Sequence, residues 1–250
     1  MPIACVRQPR ADHQRGTEKM TENRVAVVTR AAGGMGRAII KALLSDGLRC
    51  YGIDIDAQAL RDMERNLGDA FIGLEIDLTD PDAIAAGFAR IAQDAGGVDV
   101  LVNNAGTCLM SEFPGIPAAE LDRQMSLNFS SAFHCSQAAI KLMQDRAGVR
   151  KIVNISSNGA YNFDVFDPPH YRASKAALDT LTKDLARRFA RDKIAVNSIA
   201  PAMTETPMVQ KIVNQLGGAT EIEDQMRQLQ PSGAFIPVDA VVDGIEFLLS

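Results

Sequence analysis

Val25-Ala-Val-Val-Thr29, Arg30-Ala-Ala, Gly33-Gly34-Met35-Gly36 and Arg37-Ala-Ile-Ile-Lys-Ala-Leu-Leu44 follow one another without a break, and this run decides the fold. The first five residues are β-branched or small and form a strand-like run. The glycines make a turn, and apolar residues then recur at helical spacing, so the segment reads strand, turn, helix. In such a unit the turn glycines let backbone N–H groups approach a phosphate at the helix N-terminus. Gly34 and Gly36 suit that role, and an acidic residue about 20 positions on, at the end of the next strand, should hold ribose hydroxyls. Asp54 is placed for this, and its carboxylate would repel a 2′-phosphate, which favours NAD over NADP.

Outward from that unit the alternation continues. Strands are expected at residues 49–54, 70–77, 98–102, 149–155 and 194–199. Helices are expected at 57–66, 81–95, 169–191 and 238–249, with a long helical pattern over 118–145 that reads as two helices. Asp80 caps the helix that Pro81 begins. Strands alternating with helices predict an α/β chain, a single-domain doubly wound parallel sheet of the Rossmann-like kind, covered on both faces. Residues 1–20 are polar with no hydrophobic period and are expected to be a flexible tail, a transit peptide being the alternative. Residues 21–250 form one dinucleotide-binding domain. Within it the stretch at about 203–235 breaks the rhythm with prolines and methionines, and reads either as a lid over a substrate or as a surface excursion.

The chain has 250 residues, 46% hydrophobic and 23% charged, which suits one well-buried core rather than two. A net charge of -5 without a basic cluster argues against nucleic acid as a partner. No apolar stretch approaches the roughly 20 residues of a membrane span. Cys5, Cys50, Cys108 and Cys135 lie far apart, without metal-ligand spacing, and read as small core residues of a reducing cytoplasm. The expected partner is a small molecule, and the expected location is cytoplasmic.

Tyr171 and Lys175 in Tyr-Arg-Ala-Ser-Lys stand four residues apart, on one face of the helix expected there. A cation so placed favours the phenolate and should draw the tyrosine pKa down, so that Tyr171 trades a proton near neutral pH. Ser156-Ser157 closes the strand-like run upstream. Each residue also has a plain structural reading: either serine can cap a turn, and Tyr171 can be a packing residue.

Together and in this order, these motifs resemble the short-chain dehydrogenase/reductase family over residues 23–249. The family's Thr-Gly-x-x-x-Gly-x-Gly turn falls on Thr29 to Gly36, and its Asn-Asn-Ala-Gly motif on Asn103-Asn104-Ala105-Gly106. The match places a catalytic tetrad at Asn128, Ser157, Tyr171 and Lys175. It implies that Tyr171 donates a proton to a carbonyl oxygen, or takes one from an alcohol. Ser157 would hold the substrate oxygen, with Ser156 the competing choice. Lys175 would serve both the tyrosine and the nicotinamide ribose, and Asn128 would support a water relay behind it, unless it is an ordinary helix residue. The resemblance also implies cofactor contacts at Thr29, Arg30, Gly33, Gly34, Met35 and Gly36, at Asp54, and at Asp77 and Leu78 beside the adenine. Asp77 has a strand-end cap as its alternative. Further contacts fall at Asn104, Ala105 and Gly106, at Tyr171 and Lys175, and at Pro201, Thr204 and Thr206. A homodimer or homotetramer through the two long helices is implied as well.

Three departures from the family pattern stand out. Arg30 replaces the first turn glycine; it either crowds the turn, so that glycine there would tighten cofactor binding, or swings out and grips phosphate. Ala202 replaces the glycine after Pro201, which is mild unless its φ is positive. The family's final edge strand is missing, leaving a sheet edge exposed. The function expected is hydride transfer between NAD(H), with NADP(H) less favoured, and a secondary alcohol or ketone. The alternatives are a non-catalytic dinucleotide sensor or scaffold with a weakened cofactor site, and a sugar-nucleotide epimerase or dehydratase, which chain length disfavours. Residues 158–170, with Tyr161, Phe163 and Phe166 among them, are expected to line one wall of the substrate pocket, and Phe113, Met203, Met208 and the lid to supply others.

Overall fold

Alternate residues of the first strand point to opposite cores, and that alternation organises the molecule. A computed structural model of the chain describes residues 24–162, 167–215, 224, 227–228 and 230–250. The strands β1 (Val25–Thr29), β2 (Arg49–Asp54), β3 (Phe71–Glu75), β4 (Val100–Asn103), β5 (Arg150–Ile155) and β6 (Ile194–Ile199) form one parallel sheet in the order β3-β2-β1-β4-β5-β6. Its register sets Tyr51, Val27, Leu101, Ile152 and Val196 side by side in a row. All five face one core. The next row, with Val28, Val102 and Val153, faces the other.

Helices cover both faces, as parallel strands require. α3 (Pro81–Ala95), α5 (Ser131–Met143) and α6 (Pro169–Phe189) cover the first core through Phe88, Ile91, Met143 and Phe189 among others. α1 (Gly34–Ser45), α2 (Ala57–Leu67) and α8 (Val238–Leu249) cover the second through Ile39, Ile40, Leu60 and Ile245. Each fully buried aliphatic side chain of this kind contributes about 1.5–3 kcal/mol. α3 begins as expected: Asp80 accepts from the N–H groups of Asp82 and Ala83, and Pro81 occupies the first helical position.

Two departures from the sequence reading have clear causes. The expected strand 70–77 ends at Glu75, because the Asp77 carboxylate turns the chain by accepting from both the N–H and the hydroxyl of Thr79. The pattern over 118–145 is α4 (Ala118–Met125) and α5 joined without a loop by a π-helical turn, Ser126–Ser130. Ala202 carries no strain, since Arg30 and Lys193 are the non-glycine residues with positive φ among those described. The region expected as a lid starts with α7 (Pro207–Gln215), and its ends are joined where Ile236 donates to Met203 O and Glu205 to Ile236 O. The expected tail, residues 1–20, lies outside the described residues, as do Phe163 and Phe166.

The strand order reverses direction between β1 and β4. Crevices at such a switch point, beyond the carboxyl ends of the strands, are where open α/β sheets bind ligands.

Candidate active site

A cavity of about 380 Å³ opens at this switch point. One wall is the glycine turn, where Arg30, Gly33, Gly34, Met35 and Gly36 line it. Gly36 has to be glycine: a Cβ there would lie 2.2 Å from Arg30 O and 2.8 Å from Ala31 Cα. α1 begins at Gly34 with no side chain capping it, whereas α2 and α3 are capped by Asp56 and Asp80. Its first N–H groups and its dipole therefore face the cavity, an arrangement that suits a phosphate.

Thr29 and Asn104 hold this wall rather than line it alone. Thr29 Oγ1 accepts from the N–H groups of Asn104 and Ala105, each at 2.9 Å, and Asn104 Nδ2 donates back to Thr29 O and Arg30 O. These bonds lock β1 to β4 at the point where both strands end. Asn104 and Gly106 line the cavity, while Thr29 and Ala105 are buried behind it. Asp54 Oδ2 accepts from Ala32 N at 2.9 Å and Oδ1 from Asp56 N at 3.1 Å, so its carboxylate braces the turn. Asp54, Asp77 and Leu78 lie outside the cavity lining, and Leu78 is part of the core beside α3.

The opposite wall carries the chemistry. Tyr171 and Lys175 are adjacent on α6, both buried, and line the cavity with Ser157. The two serines divide cleanly. Both line the cavity, but Ser156 donates to Asp179 Oδ2 at 2.8 Å, whereas Ser157 hydrogen-bonds Tyr171. Ser157 Oγ also accepts from Gly159 N.

Asn128 sits in the π-helical turn, fully buried, behind Gly106. Its Oδ1 accepts from Thr107 N at 2.8 Å, and its Nδ2 donates to Thr107 O at 2.9 Å and Ser174 Oγ at 3.0 Å. A π-turn inserts one residue into a helical path and turns a side chain aside. Here it aims an amide between the 106–107 segment and α6. A Cβ on Gly106 would stand 3.3 Å from Lys175 Nζ and 3.4 Å from Asn128 Oδ1, so glycine lets the three groups meet.

The electrostatics correct one expectation. Burial pushes the Tyr171 phenol above its ordinary range, and the Asp167 carboxylate pushes it further; the Ser157 hydrogen bond pulls it back. The Lys175 ammonium donates to Ile155 O at 2.7 Å. Burial lowers Lys175 to about 8, with Asp179 opposing the shift and the Arg30 charge adding to it. The phenol thus stands above its ordinary range, not below it as the Tyr171–Lys175 spacing led one to expect.

Pro201, Thr204 and Thr206 line the cavity as expected, and Met203 does too. Pro207, at the start of α7, lies so close that a Cβ on Gly34 would be 3.0 Å from its Cδ. Phe113 and Tyr161 do not line it; both are largely exposed. Asp167, within the wall expected at 158–170, and Gln230, within the expected lid, line the cavity, and the sequence reading missed Cys108 and Thr107. Asp167 stands four residues before Tyr171, ahead of α6, which begins at Pro169. Cys108, expected in the core with Cys50 and Cys135, instead lines the cavity, and burial pushes its thiol up to about 12. Among the described residues no group of three or more His, Cys, Asp or Glu could hold a metal, and no helix is long and apolar enough to cross a membrane.

Known proteins resemble this chain in sequence and fold. The family model described as short chain dehydrogenase matches residues 24–217. A 3alpha-hydroxysteroid dehydrogenase of Mediterraneibacter gnavus is 35% identical over 76% of this chain and 77% of its own. A D-beta-hydroxybutyrate dehydrogenase of Rhizobium meliloti is 33% identical over 87% and 88%. The ligand-free aldohexose dehydrogenase of Thermoplasma acidophilum superposes with a TM-score of 0.80 at 28% identity, covering 92% of this chain and 88% of that one. On the family match, with the fold and the cavity agreeing, the chain belongs to the short-chain dehydrogenases, oxidoreductases that act on hydroxyl or keto groups with a nicotinamide dinucleotide.

Proposed function

We propose that this protein interconverts a secondary alcohol and its ketone with NAD(H), Tyr171 carrying the proton. The observation behind the reading is the convergence of Tyr171, Ser157 and Lys175 on a cavity whose facing wall is an uncapped helix N-terminus behind a glycine turn. The α1 N–H groups would hold the pyrophosphate, and Lys175, Thr204 and Thr206 the nicotinamide half. Asp54 would reach the adenosine ribose with whatever accepting capacity its two backbone bonds leave. Its negative charge supports NAD over NADP, and the bound nicotinamide would supply or accept the hydride.

The chain's own residues account for the rest. Ser157 hydrogen-bonds the substrate oxygen where negative charge develops, which lowers the barrier electrostatically. Tyr171 holds a proton at Oη, and the raised phenol keeps it there until an alkoxide forms beside it. Lys175 swings from Ile155 O toward the phenol and the ribose. Asn128, fixed by Thr107 and Ser174, would support a relay in which water carries protons behind Lys175. We further place a homodimer contact on α5 and α6, where Phe133 is 40% exposed and stacks near Phe129 and His134.

Tyr171→Phe is the test. We expect it to abolish turnover across a panel of hydroxy acids, hydroxysteroids and cyclic alcohols while leaving NADH binding, followed by nicotinamide fluorescence, largely intact. Undiminished turnover would refute the assignment.

A further inference from the structure

We propose that Arg30 is a phosphate-gripping residue of the glycine turn, its guanidinium resting on the carbonyl oxygen of Gly106 and moving onto the pyrophosphate of a bound dinucleotide. The inference rests on the dinucleotide reading above and assigns a role to the residue that departs most from the family's turn.

Arg30 sits at φ +51, in the left-handed region that favours glycine. Even so, the turn keeps its shape: Gly33 N still donates to Arg30 O at 3.2 Å, and Arg37 N to Gly33 O at 2.9 Å. The arginine therefore does not break the turn. Its side chain passes close to Gly33, where a Cβ would be 3.6 Å from both Cγ and Nε, and its Nη1 donates to Gly106 O at 2.6 Å.

The direction of that reach matters. It runs from β1 toward β4 and Lys175, away from β2 and Asp54, whose carboxylate is bonded to Ala32. The guanidinium thus lies toward the middle of the cavity, beside the α1 N-terminus, rather than at the strand end where a 2′-phosphate would sit. Arg30 and Lys175 are the cations of the described lining, and Asp167, on the Tyr171 side, is its carboxylate. Their closeness is felt electrostatically, since the Arg30 charge helps to depress Lys175.

A guanidinium on a neutral carbonyl makes an ordinary hydrogen bond. Presented with a phosphate it can make charge-assisted, two-pronged bonds that are about twice as strong as one to a neutral carbonyl such as Gly106 O. Helix dipole and guanidinium then act on the same group.

The test compares wild type with Arg30→Gln, which keeps a donor for Gly106 O but not the charge, and Arg30→Gly, which removes both side chain and strain. Calorimetric titrations use ADP, adenosine, NADH and NADPH at low salt, with circular dichroism as the fold control. We expect both variants to bind ADP and NADH about tenfold more weakly, the loss of one charged hydrogen bond. Adenosine affinity should not change, and the salt dependence of ADP binding should flatten. Equal or tighter ADP binding by Arg30→Gly would overturn the proposal in favour of crowding. A loss confined to NADPH would place the guanidinium on the 2′-phosphate and overturn the pyrophosphate assignment. If wild type binds neither ADP nor adenosine, the dinucleotide reading beneath the proposal fails with it.

Discussion

Lys175 shows how much of a residue's chemistry is set by what surrounds it. In sequence it is a cation one turn from a phenol. In the structure it is buried, bonded to Ile155 O, and lowered from an ordinary value of 10.5 to about 8 by desolvation. The unfolded lysine keeps its proton up to 10.5 while the folded one releases it near 8, so unfolding takes up a proton within that window. The buried ammonium thus costs stability below about pH 8, and the cost is relieved as pH rises toward 10.5. We expect the unfolding free energy of wild type, relative to Lys175→Met, to climb between pH 8 and 10.5 by at most about 1.4 kcal/mol per pH unit. Urea melts across that range measure it. Cys50, Cys108 and Cys135, each pushed up to about 12 by burial, act oppositely above their ordinary 9.0, but they are common to both proteins and cancel in the difference. A flat difference would mean that Lys175 is not desolvated.

At the scale of elements, the site depends on two irregularities: the tight turn into α1 and the π-helical turn between α4 and α5. The first was legible, because glycines between a strand and a helical pattern announce it. Gly36→Ala puts a methyl 2.2 Å from a carbonyl oxygen of the backbone and should cost about 1–3 kcal/mol while abolishing ADP binding. Gly34→Ala meets only the ring of Pro207, at 3.0 Å, and should leave more of both, shifting α7 instead. Unfolding curves and ADP titrations separate the two, and equal effects would deny Gly36 its special place. The π-turn was not legible. Residues 118–145 keep a helical apolar pattern, and the inserted residue shows only when Asn128 is seen bonded to Thr107 and Ser174 on neighbouring segments.

For the whole molecule, the two cores follow from strand alternation, and their helices leave α5 with an exposed aromatic. Phe133 is on the outer side of that helix, opposite Cys135, Ala139 and Met143, which are buried in the core. We expect Phe133→Asp to yield monomers in sedimentation equilibrium at micromolar concentration with the circular dichroism spectrum unchanged, against dimers for wild type. An unchanged mass would move the interface elsewhere. The sheet among the described residues ends at β6, and the cavity is built from the turn into α1, the segments after β4 and β5, α6 and the stretch from Pro201 into α7.

By itself the sequence determined the α/β class, the limits of most helices, the glycine turn and the spacing of Tyr171 and Lys175, while the other two candidate residues of the tetrad, Asn128 and Ser157, came from the family resemblance. The features read directly are local signals: a hydrophobic period, a cap at Asp80, a spacing of four. Only the tertiary structure decided what each site residue bonds to. It turned Ser156 toward Asp179 and Ser157 toward Tyr171, spent Asp54 on the turn, brought Asp167 and Cys108 to the cavity, and laid Arg30 across to Gly106. Three of those bonds, Ser156 to Asp179, Asp54 to Ala32 and Arg30 to Gly106, join residues from 22 to 76 positions apart, and no local pattern in a chain encodes such distances.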